Sequence, residues 1–290
     1  MNTRLSRSLK VALLSASLVA GTAYASCYCH GTLVAKKFYD ANANGHRDTG
    51  EPWLQGWKMT ASSVSKSFLS TKFTNINGAA SWSVVPSNDY ALTEGTPLEG
   101  NWVQSAPVDG SGNPINPVTG LHVVGGYTKV VKFGNYCTTG SGGLTPGFWS
   151  NRNGFNTMND GGEVASELAL LSSLHLRDAN GQDFDPTNYA DFRAWLLGGT
   201  ATNMAYMLSV HLAAMQLNVE SGKVDDSRVY VPAGMTIGEI MALADQSLAL
   251  HGFTPSGDAE RPIQEQYKNW LDALNNNAQA VSLTPCAYTF

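Results

Sequence analysis

The chain has 290 residues with a formal net charge of −5; 43% of the residues are hydrophobic and only 14% are charged. That length holds one large domain or two ordinary ones. An acidic chain with no basic cluster argues against nucleic acid or an anionic membrane as partner. In chain order, the first segment reads as an export leader. Arg4, Arg7 and Lys10 precede the apolar run VALLSASLVAG, and a small-residue cleavage site ends at Ala25. Residues 1–25 are therefore expected to be a signal peptide, and the mature protein to be secreted or held at the cell surface. Tyr24 disfavours a lipoprotein leader cut before Cys27. No later stretch approaches the ~18 consecutive apolar residues of a spanning helix, so no membrane span is expected after the leader.

From Gly31 to Asn135 short runs rich in Val, Thr and aromatics alternate with turns. They are GTLVAKKFY, WKMTASSV, SFLSTKFT, AASWSVV, DYALTEG, NWVQSAP and YTKVVKFG. Asn77-Gly78, the stretch 86–89 and the loop DGSGNPINPVTG separate them. About seven short strands at this spacing predict an antiparallel β-sandwich over 26–137. Cys27, Cys29, Cys137 and Cys286 are an even set in an exported chain, which favours disulfides over a metal site. Three connectivities are open. The expected arrangement ties the two ends of the sandwich together and pins the C-terminal tail beside them.

Between the first two strands lies DANANGHRDTGE. Asp40, Asn42 and Asn44 take positions 1, 3 and 5 of a calcium loop, and Gly45 takes position 6, where the chain turns sharply. His46 would offer its carbonyl at position 7, Asp48 sits at position 9 and Glu51 at position 12. Three carboxylates and two amides predict weak binding of Ca2+, with the ion as a staple rather than a switch, because the flanks are strands. The stretch LVAKKFYDANANGHRDTGEPWLQGWKMT, with TNINGAASWSVVPSNDYALTE and VVKFGNY, resembles the B-repeat module of serine-aspartate repeat adhesins (SdrD B-like). The resemblance implies a prealbumin/Ig-like, calcium-rigidified sandwich acting as a spacer of cell-surface proteins. One copy is present rather than an array, and no LPxTG-type sorting motif supports sortase anchoring.

After Cys137 the pattern changes. TTGSGG, in the span 138–146, reads as a flexible linker by composition. Residues 147–290 then show periods near 3.6 in five segments: GEVASELALLSSLHL, PTNYADFRAWLL, ATNMAYMLSVHLAAMQLNVESG, TIGEIMALADQSLALHG and PIQEQYKNWLDALNNN. Pro186 and Pro262 suit first-turn positions, Thr236 an N-cap, and Gly222 and Gly252 stops. The fold class expected is thus a β-sandwich followed by an all-α domain. LTPGFWSNRNG and the later helix resemble exported bacterial domains with a T-x-G-F/Y-W-x-N opening, which imply secretion but no chemistry.

No catalytic constellation emerges from this half. Met204, Met207, Leu208, His211 and Met215 form a stripe that reads as core before it reads as a metal or haem site. Asp160, Glu163 and Glu167 read as helix-start charges before acid/base catalysts. Asp178, Asn180, Asp183 and Asp185 read as a polar turn capping the next helix before a second cation site. Phe148 and Trp149 read as a plug fixing the loop to the helices, with a sugar- or peptide-binding platform as the rival. The expectation is a structural or adhesive exported protein, not an enzyme, acting on an unnamed extracellular protein, matrix or glycan. A secreted enzyme or carbohydrate-binding protein with its site among the helices is the alternative.

Overall fold

The computed structural model describes residues 29–290. The expected leader and Cys27 lie outside the described residues. All seven expected strands appear where alternation placed them, joined by two more, in two stacked sheets. Strands β1 (Gly31–Tyr39), β4 (Ala79–Val84), β6 (Trp102–Ala106), β8 (Thr128–Gly140) and β11 (Gln279–Val281) form one sheet. The other runs in the order β3 (Phe68–Phe73), β2 (Lys58–Ser63), β5 (Ser87–Glu94), β7 (Val118–Val123). Successive side chains on a strand point to opposite faces, and the inward series Leu33–Ala35, Met59–Ala61 and Tyr90–Leu92 is buried between the sheets. Each large apolar side chain buried this way contributes about 1.5–3 kcal/mol.

The sandwich is not purely antiparallel. β1 and β8 run parallel, from Thr32 opposite Thr128 to Tyr39 opposite Asn135. Parallel neighbours need a long crossover, and here the intervening strands β2 to β7 supply it. β7 falls in a stretch that reads partly as loop; Gly120 has a positive φ and the pairing with β5 shifts register.

The helical half contains α1 (Pro146–Trp149), α2 (Arg152–Met158), α3 (Ala165–Leu171), α4 (Tyr189–Leu197), α5 (Met204–Glu220), α6 (Ile237–Leu250) and α7 (Arg261–Asn275). α5 is apolar nearly all round and forms the centre against which α6 and α7 pack, as expected of a helix without a wet face. Thr236 caps α6 in a reciprocal box with Glu239, and Pro262 lies in the first turn of α7. Pro186 instead precedes α4, whose cap is Asn188. The half is not all-α: β9 (Val229–Tyr230) and β10 (Met235–Thr236) make a small ladder, and β11 rejoins the sandwich. Among the described residues no helix is long and apolar enough to cross a membrane.

The span read as a flexible linker is fixed in place. Thr138–Gly140 is the end of β8 and pairs with β11. Ser141 N donates to Ala278 O at 2.8 Å and Gly142 N to Asn277 Oδ1 at 2.8 Å. The glycines serve close approach rather than freedom: a Cβ on Gly143 would lie 2.1 Å from Leu274 O. Gly143→Ala is therefore expected to lower stability by about 1–3 kcal/mol, read as a shifted urea midpoint; an unshifted midpoint would show that the span is loose after all.

Cys137 pairs with Cys286, which pins the tail as expected. The same bond occupies Cys137, so that residue does not tie the start of the sandwich; the parallel β1–β8 ladder joins its two ends instead. Cys29 is exposed at the beginning of the described residues.

Candidate functional site

Three polar side chains occupy inward positions that alternation reserves for apolar ones. On β1 the buried series Leu33, Ala35 continues to Lys37; on β5 the series Tyr90, Leu92 continues to Glu94; on β8 Phe133 is followed at the same parity by Asn135. Their relative exposures are 0%, 5% and 3%. Lys37 Nζ lies 2.7 Å from Glu94 Oε2 and also donates to Asn135 Oδ1. The ammonium sits 4.3 Å from the centre of the Trp57 ring. A pair of hydrogen bonds between Asn116 and the Glu94 backbone, each 3.0 Å, holds the end of β5.

Burial pushes the Lys37 ammonium down to about 8, although the Glu94 carboxylate beside it works in the opposite direction. A buried ion pair is a poor source of stability, since apolar residues of similar volume usually do as well or better. The arrangement instead has the parts of an acyl transfer: an amine readily freed of its proton, a carboxamide in contact with it, and a carboxyl group able to move the proton. Sequence reading missed this site because the three residues are scattered over three strands. The available signal was parity: Lys37, Glu94 and Asn135 each fall on the core side of a strand.

The loop residues foreseen as calcium ligands are partly assembled. Asp40 is fully buried and Glu51 nearly so. Asp40 accepts from Asn44 N and Gly45 N at 3.1 and 2.7 Å, and Glu51 from Ala41 N and Asp48 N at 2.7 and 2.9 Å. Asn42 and Asn44 both donate side-chain N–H groups to Asp48 Oδ2, at 2.8 and 2.7 Å. Gly45 takes the positive φ of 79° that the turn requires. His46 is exposed and its N–H donates to Asn44 Oδ1. Among the described residues no basic side chain pairs with Asp40, Asp48 or Glu51. Neither do three or more acidic, His or Cys side chains gather there in metal-holding geometry. The donor set is all oxygen and suits a hard cation, and each carboxylate keeps lone pairs beyond the two N–H groups it accepts.

The helical candidates resolve into packing. Trp149 is 1% exposed and forms an edge-on pair with the partly buried Phe148 at 5.2 Å, and both pack against the helical core. His211 is buried between α5 and α7 with Met204, Leu208 and Met215 in the core; burial lowers its pKa to about 4. Glu167 stands in the first turn of α3, where it complements the helix dipole. Asp160 and Glu167 line a cavity of ≈ 140 Å³ with Trp149 and Glu220, smaller than the ~300–1,000 Å³ of ordinary ligand pockets. Asp178 closes its own turn by accepting from Asn180 N and Gln182 N, and Asp183 pairs with Arg177 at 2.5 Å; the cap of the next helix comes from Asn188.

No family model matches the chain, and no curated protein matches it. Among solved structures it is similar to the Bacillus anthracis TIE protein, at 18% identity and TM-score 0.26 over 37% of this chain and 16% of that one. It is similar to shaft pilin SpaA of Lactobacillus rhamnosus GG, at 15% identity and TM-score 0.26 over 38% and 51%. GBS52, the minor pilin of Streptococcus agalactiae, aligns at 12% identity and TM-score 0.27 over 37% and 44%. The chain spans about half or less of each of these proteins.

Proposed function

We propose that this is an exported structural or adhesive protein whose β-sandwich closes itself with an internal amide bond between Lys37 and Asn135. The observation that carries the reading is the buried Lys37 Nζ held against both Glu94 and Asn135. Glu94 takes a proton from the Lys37 ammonium, leaving a neutral amine. Nζ attacks Asn135 Cγ, the Nζ–Cγ bond forms, and the Cγ–Nδ2 bond breaks. Glu94 returns the proton to Nδ2, which then carries three hydrogens and departs as ammonia; the surplus proton on Nζ passes to Glu94, which ends the step protonated, and no oxidant is involved. The apolar walls, Trp57 among them, exclude the water that would compete as nucleophile. The product joins β1 to β8, the first and last strands of the sandwich proper, and is a single-turnover event rather than an enzyme activity. Intact mass spectrometry tests this directly. The folded chain should weigh one ammonia less than its sequence, and Lys37→Met or Asn135→Ala should abolish the deficit; an unmodified mass in the wild type would refute the reading.

Outside the cytoplasm such a weld suits a module bearing load for an extracellular protein, matrix or glycan contact. A second stabiliser is proposed at 40–51, on the ground that Asp40 and Glu51 are buried carboxylates with no basic partner among the described residues. Asp40, Asn42, Asn44, Asp48 and Glu51, with the His46 carbonyl, would hold Ca2+, which supplies positive charge to the loop. At a Kd of ~10⁻⁴–10⁻³ M, excess calcium should stabilise the chain by about 1–3 kcal/mol. Thermal melts with calcium and with chelator measure it, and a melting temperature unmoved by calcium would remove the cation from the account.

A further inference from the structure

The segment 286–290 lies over the sandwich and covers the ring that walls the Lys37 site. Tyr288 and Phe290 pack on Trp57 with ring centres 4.9 and 5.3 Å away. Trp57 is fully buried, whereas Tyr288 and Phe290 are half-exposed, so these two rings stand between Trp57 and solvent. The segment is anchored along its length. Trp102 Nε1 donates to Ala287 O at 3.1 Å, Leu98 N to Thr289 O at 3.0 Å, and Thr289 N to Glu99 at 2.8 Å. Tyr288 Oη donates to Gln55 O. The tether is Cys286, bonded to Cys137, which is two positions along β8 from Asn135. In the chain, this segment follows all seven helices.

We infer that the segment 286–290 is the roof of the Lys37 site, with Tyr288 and Phe290 as positioning residues that hold Trp57 against Lys37, so that the amide forms rapidly only after this segment docks. The inference rests on the crosslinking reading above. A chain still lacking its docked roof leaves Trp57 open on one side, so water reaches the site, solvates the ammonium and opposes its deprotonation. The weld therefore waits for the helical half to have been made and folded back.

Two measurements on the full-length chain test it. In cell-free synthesis, the share of product lacking one ammonia is followed with time. Tyr288→Ala/Phe290→Ala should slow its appearance at least about tenfold, the factor of one pKa unit in free amine, and the ring-keeping Tyr288→Phe/Phe290→Tyr pair should restore the rate. In an Asn135→Ala background, where no amide can form, acetylation of Lys37 by acetic anhydride is mapped against pH. Glu94 on β5 is the charged group whose field acts on Lys37; Asn135 on β8 and Trp57 are uncharged. Loss of the two rings should speed the labelling and move its half-reaction pH upward, and the ring-keeping Tyr288→Phe/Phe290→Tyr pair should return both to the values of the parent background. Cys286→Ser, which cuts only the tether, should act in the same direction and serves if the double variant does not fold. Unchanged amide rate and unchanged labelling would overturn the roof. A wild type that never loses ammonia, with labelling still controlled by the rings, would overturn the weld and leave the roof standing.

Discussion

Glu94→Gln is expected to yield a chain that keeps its full mass and loses about 3–5 kcal/mol of stability, the cost of removing one partner from a buried ion pair. Glutamine fits the space and can accept a hydrogen bond from Lys37 Nζ, but it neither balances the charge nor carries a proton to the leaving Asn135 nitrogen. The pH dependence gives a second signature. In Asn135→Ala the Lys37 amine stays free, with a folded pKa of about 8 against its ordinary 10.5. Below about 8 the ammonium is present in both states and its burial penalty is paid in full. Between those values the unfolded chain binds more protons, so stability rises with pH and the penalty is gone above 10.5. Its size is on the order of 3 kcal/mol. An amide does not titrate, so on the proposed crosslink the gap in urea midpoint between wild type and Asn135→Ala should narrow from pH 7 to pH 10. A gap that widens or stays constant would mean that Lys37 is not a strained ammonium.

Arg228→Ala is expected to be the most damaging change at the junction of the two halves, at about 3–5 kcal/mol. Arg228 Nε donates to Val281 O at 2.9 Å, Nη1 to Gly140 O at 2.9 Å, and Nη2 to Thr139 O and Ala280 O at 2.9 Å each. One guanidinium thus satisfies carbonyls of both β8 and β11, and hydrogen bonds to a charged group contribute about 1.5–3 kcal/mol each before non-additivity reduces the sum. Arg228→Lys should recover only part of the loss, because an ammonium cannot span the fork. Urea unfolding and protease cleavage within 138–144 report the effect; a variant as stable and as resistant as wild type would show that the ladder needs no clamp.

The strands of the sandwich were legible because alternation is local: Leu33, Ala35 and Lys37 announce one face of β1 within seven residues. The central helix was legible from Met204, Leu208, His211 and Met215 for the same reason. What composition concealed was tertiary. TTGSGG looks loose because glycine and serine are usually permissive, yet Gly143 is small so that it can pass Leu274. β7 was hidden by Gly120 inside its run. The Lys37 site was hidden by separation, since Glu94 and Asn135 stand 57 and 98 positions away. The acidic loop 40–51, proposed to hold Ca2+, lies in one continuous stretch and stands out in the sequence, whereas a site assembled across sheets becomes visible only when buried polar parity is compared between strands.

The return of β11 to β8 has a consequence for mechanics and for modularity. Gly140 stands opposite Gln279 in an antiparallel rung, and Ser141 N meets Ala278 O just beyond it. The backbone therefore departs from the sheet and comes home at the same rung, which makes the whole helical body a hairpin loop of unusual size. Tension drawn along the sheet has no need to traverse the helices, which hang beside the load path as a pendant. Replacing 141–278 by a tight turn of about two residues should consequently leave a self-contained sandwich, still capped by its aromatic tail.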